Sequence, residues 1–416
     1  MFKTKEKIII NTKILFFIIC MYVLTFQNFL ENHIEIFRYF DEALSIIAIP
    51  IIFLNFFPKV KKEYKEYFCI LILLFGIFIL GIASNIIYKY QTIKYIVSDI
   101  IVCNKFFMIL FLSSIVLKKN LIEKYKKEVA KHSRIIVNLL LILTILNYVI
   151  NFFPSEKRFG IKVNTLFYSA PTYLAAICIF YISLNFIIND KKSKKYICIL
   201  VLILISTLRF KAIGAAILAV LVSVYIDRTN RKIKISKMII LAVIAVIISY
   251  EQIGYYYFND GYARNELTVK SLEIAKDFYP LGSGFGTYAS YFSVVNYSPM
   301  YYEYGLSNIF GLTEDNPNFV SDVFWPMVLG QFGVFGFIIY IICIIILFSK
   351  IQKDYSLENK KYYIAKMICF IYLIISSTSE SAFVNPLSIS LAIIIGIQTK
   401  NETNNERRIY ERSKNC

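Results

Sequence analysis

Four basic side chains, Arg158, Arg209, Lys211 and Arg264, lie in segments that the charge pattern of the chain places apart from most other basic residues. A guanidinium group can bind a phosphate through two parallel hydrogen bonds, and an ammonium group adds a point charge. Several such groups converging at one membrane face would suit a lipid pyrophosphate. The alternative is that Arg209 and Lys211 extend to the lipid–water interface or pair with carboxylates of a loop.

Two carboxylates could take part in the same chemistry. Asp322 lies in Ser321-Asp-Val-Phe-Trp325, and Glu380 lies in Ser376-Ser-Thr-Ser-Glu-Ser-Ala-Phe383. Each stands at the end of a long apolar run. A carboxylate in such a place could act as a general base or could hold an arginine in position. The residues by themselves leave both roles open.

A glycine cluster, Pro280-Leu-Gly-Ser-Gly-Phe-Gly-Thr287, superficially resembles a nucleotide-binding loop. No convincing strand precedes it, and the charge pattern places it away from the cytoplasm, so we do not expect ATP or NAD to bind there. Glycines such as Gly284 and Gly286 let the backbone approach a ligand closely, and they would suit a loop wall beside a phosphate or a sugar.

The sequence predicts neither a metal site nor a cofactor. Its two histidines, His33 and His132, are far apart along the chain, and its eight cysteines show no spacing typical of metal ligands. No histidine falls within 253–325, so a Ser–His–Asp set cannot be assembled there.

The elements that must position these residues are membrane helices. Apolar residues make up 57% of the 416, and most lie in long runs with almost no charge. A helix needs about 20 apolar residues to cross roughly 30 Å of hydrocarbon. The sequence predicts an all-α polytopic membrane protein with about twelve spans, approximately 8–28, 42–57, 68–87, 95–117, 135–153, 169–188, 196–209, 212–226, 237–252, 326–348, 364–379 and 384–398.

The basic residues predict the orientation of these spans. With the N-terminus inside, 34 of the 46 Lys and Arg residues fall at the cytoplasmic ends of the spans. Such a bias towards one side is typical of membrane proteins, so the net charge of +18 indicates topology and does not predict a nucleic-acid partner. A single helix over 196–226 would reverse every later link, and the same bias therefore favours two short helices with a turn at 207–212.

The predicted organisation has four parts. Residues 1–252 would form membrane helices 1–9, and residues 253–325 would form one large extracytoplasmic loop. Residues 326–398 would form helices 10–12, and residues 399–416 a charged cytoplasmic tail. A connection as long as 253–325 is usually functional or carries structure of its own.

Several segments resemble the bacterial O-antigen and capsular polysaccharide polymerases of the Wzy type, within the O-antigen ligase-like superfamily. The similarity lies in short motifs of the predicted loop and of the links that flank it: Ala263-Arg-Asn-Glu-Leu267, Phe278–Tyr288, Tyr297-Ser-Pro-Met-Tyr301, Ser321–Pro326, Gly330–Gly336, Leu208–Ala212, Arg158-Phe-Gly-Ile161 with Pro171 downstream, and Glu380-Ser-Ala-Phe383. In topology the resemblance covers nearly the whole chain.

The resemblance implies a GT-C-like architecture and a metal-independent glycosyltransferase in the bacterial inner membrane. The substrate would be an oligosaccharide linked to undecaprenyl pyrophosphate, and a flippase and a chain-length regulator would work nearby. Arg209 and Arg264, with Arg158 and Lys211, would neutralise the pyrophosphate leaving group. Asp322 or Glu380 would assist the acceptor hydroxyl, and loop tyrosines such as Tyr288 would stack on sugar faces.

Two other functions stay open. The related O-antigen ligases have a similar topology but use a histidine in the large loop, and none is present here. A flippase for the same lipid-linked glycans would also suit twelve spans. However, transport sites lie near the middle of the bilayer between helices, and a large acidic, aromatic loop is not typical of them.

Overall fold

The computed structural model of the protein describes residues 2–56, 64–154, 156–158, 160–234, 236 and 261–399. Most of these residues are helical. The α-helices are α1 (Phe2–Glu31), α2 (Phe40–Phe56), α3 (Lys65–Tyr88), α4 (Ile93–Val116), α5 (Lys119–Lys124), α6 (Lys126–Ile150), α7 (Pro171–Ile188), α8 (Ser193–Ser206), α9 (Phe210–Thr229), α10 (Ala263–Asp277), α11 (Phe292–Val295), α12 (Met300–Glu303), α13 (Trp325–Lys353), α14 (Lys360–Ser377) and α15 (Ser388–Gly396). Two short strands, β1 (Lys157–Arg158) and β2 (Ile161–Lys162), form an antiparallel hairpin.

Eight helical segments in the described ranges combine the length and the hydropathy that a membrane crossing requires. They correspond to α1, α2, α3, α4, α6, α7, α9 and α13. The prediction of an all-α membrane protein is confirmed at this level, whereas the count of twelve spans stays a prediction. The remaining predicted spans fall on α8, which has 14 residues, on α14, which carries three lysines, on the nine-residue α15, and on 237–252, which lies outside the described residues.

The centre of the bundle is formed by α7, α14 and α15. Helix α7 leaves only Tyr173 and Phe186 incompletely buried, and every residue of α15 is buried. Helix α14 packs on α7 and on α9, while α15 packs on α4. The outer helices instead expose large apolar side chains, such as Phe53 and Leu54 of α2. A helix that is apolar on all sides can be central, and an outer helix can present the same residues to lipid.

Asparagines end three of the long helices. Asn151, Asn189 and Asn230 follow α6, α7 and α9, and each has a positive φ between 42° and 53°. The left-handed conformation is unfavourable for most side chains, but asparagine tolerates it and commonly ends a helix in this way. The N–H groups of Asn189 and Asn230 donate to the carbonyls four residues earlier, which completes the last turn of each helix.

Two groups of charged side chains inside the bundle form ion pairs. Lys105 of α4 contacts Asp41 of α2 at 2.5 Å, and Gln27 of α1 donates to the other oxygen of that carboxylate at 2.9 Å. In α13 and α14, Asp354 lies between two lysines, with Lys350 at 2.8 Å and Lys366 at 2.6 Å. A buried charge without a partner is very costly, so these contacts tie the helices together.

Helix α13 is interrupted at Gly333, which has φ 63° and ψ −171°. The chain at 282–284 fills the interruption. The N–H of Ser283 donates to the carbonyl of Gly330 at 2.9 Å, and the N–H of Gly284 donates to the carbonyl of Gln331 at 2.8 Å. These bonds satisfy carbonyl groups that a straight helix would satisfy itself, and a break at membrane depth is tolerated only where protein completes it.

The same segment is held by α3 and by the link to α4. Asn85 of α3 accepts from the N–H of Phe285 at 2.8 Å and donates to its carbonyl at 3.0 Å. Asp99 of α4 accepts from the N–H of Gly286 at 2.8 Å, and Gln91 donates to the carbonyl of Gly286 at 2.9 Å. Residues 282–290 are therefore fully buried between α3, α4 and α13.

We expect Gly282→Ala to destabilise the protein by about 2–4 kcal/mol, because it adds overpacking to backbone strain. Gly282 has φ +84°, and a Cβ there would lie 2.3 Å from the backbone nitrogen of Gly333. Gly305→Ala is the matched control, since Gly305 has φ +70° and no atom within 4 Å of a Cβ. Thermal unfolding of the purified variants measures the difference. An equal loss of stability in both would contradict this packing explanation.

Candidate functional site

The turn between α8 and α9 carries two of the predicted site residues. Helix α8 ends at Ser206 and α9 begins at Phe210, so the chain is broken here as the two-helix interpretation predicts. Leu208 has φ 48°, which reverses the chain direction. The carbonyl of Arg209 accepts from the N–H groups of Ala212 and Ile213 at 2.9 and 3.0 Å. These main-chain bonds position the first turn of α9, and they leave the Arg209 side chain free of any role in capping.

Lys211 and Arg264 each form an ion pair with one of the predicted carboxylates. The Nζ of Lys211 lies 3.1 Å from Oε1 of Glu380 and 3.2 Å from Oγ of Ser379. The guanidinium of Arg264, in the first turn of α10, lies 2.9 Å from Oδ2 of Asp322. All four side chains are partly buried. The structure thus brings residues from α9, α10 and the ends of α13 and α14 to one place.

Arg209 is different because it has no such partner. Within the ranges that the structure describes, its guanidinium makes no ion pair and no hydrogen bond, and its Nε is shielded from solvent. It lies within electrostatic range of Arg158, Glu380, Asp322 and Arg264. Burial lowers the pKa of Arg209, and the neighbouring Arg158 lowers it further, against the opposite effect of Glu380. Arg209 is therefore a partly buried guanidinium that contacts no carboxylate directly in the part of the chain that the structure describes.

Arg158 comes from the hairpin of β1 and β2. Its nearest described carboxylate is Glu156, at 3.9 Å, and that side chain is largely exposed. Lys162, on the other strand of the hairpin, donates to the carbonyl of Asn147 at 2.6 Å and to Asn151 at 2.8 Å. The hairpin is in this way fastened to the C-terminal end of α6 by a lysine, while its arginine lies near Arg209.

Two hydrogen bonds that involve serine hydroxyl groups join the segments that carry Asp322 and Glu380. The Oγ of Ser381 donates to the carbonyl of Ser321 at 2.7 Å, which joins the residue after Glu380 to the residue before Asp322. The Nε1 of Trp325 donates to Oγ of Ser377 at 3.1 Å, so the first residue of α13 is also tied to the end of α14. Among the described residues, the four cationic side chains thus lie near Asp322 and Glu380 in one site, with Glu156 beside Arg158.

A narrow cleft opens beside Glu380 and runs between α7, α14 and α15. Its lining is mostly apolar, with polar groups from Thr172, Tyr372, Ser376 and Asn385. The phenol of Tyr173, near the start of α7, lies within electrostatic range of four carboxylates, including Glu380 and Asp322. Tyr173 is not among the residues that the sequence predicts to carry function. The only available signal was its place two residues after Pro171, which is the first residue of α7.

The glycines and the tyrosine predicted to bind substrate lie elsewhere. A Cβ at Gly284 would meet the Asn85 side chain at 2.7 Å, and one at Gly286 would meet Gln91 at 3.2 Å. Tyr288 is fully buried, and its hydroxyl donates to the carbonyl of Leu267 at 2.5 Å. None of the three has a described contact with the six charged site residues. Their contacts support a packing role for all three.

We expect Asp322 to titrate above the usual aspartate range. Burial raises the pKa of this carboxyl, Arg264 and Lys211 lower it, and Glu380 raises it again, with a net increase. A folded-state pKa above the unfolded one means that folding is favoured in the protonated form. The wild-type protein should therefore lose stability relative to Asp322→Asn as the pH rises from about 4, the ordinary aspartate pKa, through the raised value.

Thermal unfolding of the wild type and of Asp322→Asn over a pH series checks this. The difference between their Tm values should change as the pH rises from about 4 to the raised pKa, and it should become constant above that pKa. A constant difference at every pH would show that the carboxyl does not titrate differently in the folded state.

Comparisons with known proteins add no assignment: no protein-family model matches this chain, and no curated protein is significantly similar to it.

Proposed function

We propose that this protein is a polysaccharide polymerase of the bacterial cytoplasmic membrane. It transfers a growing glycan from undecaprenyl pyrophosphate to a new lipid-linked repeat unit. This function agrees with the resemblance of its motifs to the Wzy-type polymerases. In the proposed topology twelve helices cross the membrane, both termini are cytoplasmic, and the segment 253–325 faces outwards, as the distribution of Lys and Arg favours.

The observation that carries the proposal is Arg209, whose guanidinium makes no ion pair and no hydrogen bond within the described residues. Arg158, Lys211 and Arg264 lie near it, and their described ion-pair partners are Glu156, Glu380 and Asp322. A partly buried guanidinium without a counter-ion is unfavourable unless an anion binds to it. Pyrophosphate carries several negative charges and oxygens that accept bidentate hydrogen bonds from arginine. It is the anion that this arrangement suits best.

The reaction that follows from this site is a glycosyl transfer. The bond between the anomeric carbon and the pyrophosphate oxygen breaks, and the lipid pyrophosphate leaves with the electron pair. An acceptor hydroxyl forms the new bond to the anomeric carbon and gives up its proton. Arg209, Arg158, Arg264 and Lys211 stabilise the charge that grows on the leaving group, and such preorganised stabilisation is often the largest contribution to catalysis.

The ion pairs Arg264–Asp322 and Lys211–Glu380 help to distinguish a positioning role from a general-base role for the two carboxylates. Both carboxylates hold a cation, which supports the positioning role for each. A base role requires one ion pair to open. A bound pyrophosphate would compete for Arg264 or Lys211, and the carboxylate so released would accept the proton of the acceptor hydroxyl. Binding of the donor would in this way activate the acceptor.

A transporter for the same lipid-linked glycan is the second candidate. The interruption of α13 at Gly333 favours it, since interrupted helices line the sites of many transporters. In this protein, however, Ser283 and Gly284 occupy the interruption, and the uncompensated arginine lies at the ends of helices. A ligase, the third candidate, would transfer finished polymer with the same cations.

The test is a deletion of the gene, followed by gel separation of lipid-linked and surface glycans. A polymerase predicts loss of the long ladder and accumulation of single repeat units on lipid or acceptor. Finished polymer retained on its lipid would identify a ligase instead. Single units trapped on the cytoplasmic leaflet would identify a transporter, and either of these outcomes would overturn the proposal.

A further inference from the structure

Three tyrosines near the short helix α12 donate their hydroxyl groups to carboxylates. Tyr90, between α3 and α4, donates to Glu303 at 2.7 Å. Tyr304 donates to Asp277, the last residue of α10, at 2.8 Å. Tyr302 donates to Glu314. We call these six residues the tyrosine surface. It lies outside the charged site, and no step of the proposed glycosyl transfer uses it.

The three pairs adjoin one another. Residues 302, 303 and 304 are consecutive, and Tyr304 lies within electrostatic range of Tyr90 and Glu303. Tyr302 has Glu314 and Asp315 beside it. Burial and Glu303 raise the pKa of Tyr90 to about 12, so its phenol stays a hydrogen-bond donor at physiological pH. The hydrogen bonds therefore fix the carboxylate groups and the aromatic rings relative to each other.

Much of this surface is open to solvent. Tyr302 exposes 56% of its area, and Asp277, Glu303 and Glu314 are exposed as well. Two less exposed rings lie beside it: the partly buried Tyr297 packs edge-on against Tyr302 at 5.3 Å and contacts the buried Tyr301 at 5.0 Å. Ordered aromatic rings lose little conformational freedom when a ligand binds, because they were already held in place.

We propose that the tyrosine surface is a second glycan-binding site, which holds the polymer chain beside the reaction site. The glycan as substrate class rests on the proposed function. The negative face of an aromatic ring attracts the polarised C–H groups of a sugar ring. A carboxylate that accepts one hydrogen bond from tyrosine still has acceptor sites for sugar hydroxyl groups, and hydrogen bonds to charged acceptors are the stronger ones.

The charge of the surface favours a glycan over a lipid headgroup. Asp277, Glu303, Glu314 and Asp315 make it acidic, and an acidic surface is repelled by the anionic headgroups of a bacterial membrane. Its place in the chain also fits, because Asp322 of the charged site lies only eight positions after Glu314. The N–H of Phe319, in that segment, donates to the carbonyl of Gly311 at 2.9 Å, so the chain from 311 to 319 folds back on itself.

The experiment measures glycan binding by the purified full-length protein in nanodiscs, without any lipid-linked donor. The probe is the delipidated glycan that mild acid releases from the surface of the same cells, titrated by calorimetry. We expect Tyr302→Ala and Glu314→Gln each to weaken binding by about five- to tenfold, as the loss of one aromatic or charge-assisted contact predicts. Tyr279→Ala is the matched control, since Tyr279 is 62% exposed in the same loop but pairs with no carboxylate among the described residues.

Unchanged affinity in both Tyr302→Ala and Glu314→Gln would overturn the proposal. An equal loss of glycan affinity in Tyr279→Ala would also overturn it, because that result would indicate non-specific binding to exposed side chains of the loop. Vesicles of phosphatidylglycerol are a second probe. If the protein binds them and the binding requires Tyr302, the ligand of this surface is a lipid and not a glycan. Because no transfer reaction takes place in this assay, a failure to bind glycan through the tyrosine surface is distinguished from a failure of the charged site, which the gene deletion tests.

Discussion

Arg209→Lys should reduce the rate of polymer formation by about 10²- to 10³-fold, the loss expected when a group that stabilises developing charge is removed. Lysine keeps the positive charge but cannot form two parallel hydrogen bonds to a phosphate. The lysine side chain also holds its ammonium group nearer to the backbone than arginine holds its guanidinium group. The measurement is the length distribution of lipid-linked glycan in membranes that contain equal amounts of the wild type and the variant.

The structure predicts that this change leaves folding intact. The guanidinium of Arg209 has no ion pair within the described residues, and it is the carbonyl of Arg209 that supports α9. Thermal unfolding of Arg209→Lys should therefore match the wild type. Arg228→Lys is the matched control, since Arg228 lies exposed in the last turn of the same helix, and it should retain full activity.

Full-length polymer from normally expressed Arg209→Lys would refute the bidentate pyrophosphate role. A loss of polymer that is accompanied by an equal loss of protein would instead place Arg209 among the residues that stabilise the bundle. The ion-paired cations offer an internal comparison. Lys211 and Arg264 are partly neutralised already, so their removal also frees Glu380 or Asp322 and should disturb stability as well as activity.

Asp354→Ala should destabilise the protein by about 3–5 kcal/mol, the range measured when one partner of a buried ion pair is removed. Asp354 lies between Lys350 and Lys366, and all three side chains are 1% exposed. Without the carboxylate, two ammonium groups would face each other away from water. Thermal unfolding of the purified variant in detergent measures the loss.

Removing one lysine of this cluster should cost much less stability than removing Asp354. Lys366→Met would leave Lys350 and Asp354 as a balanced pair, so we expect a change within about 1 kcal/mol or a gain in stability. Lys353→Ala is the surface control, because Lys353 is 56% exposed and its contact with Glu66 should contribute less than about 1 kcal/mol. Equal losses in Asp354→Ala and Lys366→Met would contradict the view that charge balance decides stability here.

The class of the fold could be predicted from the sequence because hydropathy depends on composition over a window, not on contacts. Apolar runs mark α3, α4, α7 and α13, and the break between α8 and α9 followed from the placement of basic residues. The ends of the helices are predicted less accurately. Helix α6 begins at Lys126, nine residues before the predicted span, because a helix can continue into polar flanks that hydropathy does not mark.

The candidate site could be predicted in part. Arg209 and Arg264 stand out because basic residues placed against the cytoplasmic bias need a reason, and Asp322 and Glu380 stand out as carboxylates beside apolar runs. Neither argument requires contacts. Their pairing, with Asp322 on Arg264 and Glu380 on Lys211, depends on which helix ends meet. Tyr173 was missed because nothing in its sequence neighbourhood distinguishes it from the other tyrosines of an aromatic-rich chain.

Composition and hydropathy are sufficient to predict an all-α membrane protein, and the placement of charge is sufficient to identify the residues that require an explanation. What surrounds the glycine cluster depends instead on the fold. Glycines suit either a ligand or a close backbone contact, and the difference lies in what occupies the neighbouring space. Here that space holds Asn85, Gln91 and the interruption of α13, so Gly284 and Gly286 pack against protein. The contacts join segments roughly 50 to 200 residues apart, and no local pattern specifies which of them meet.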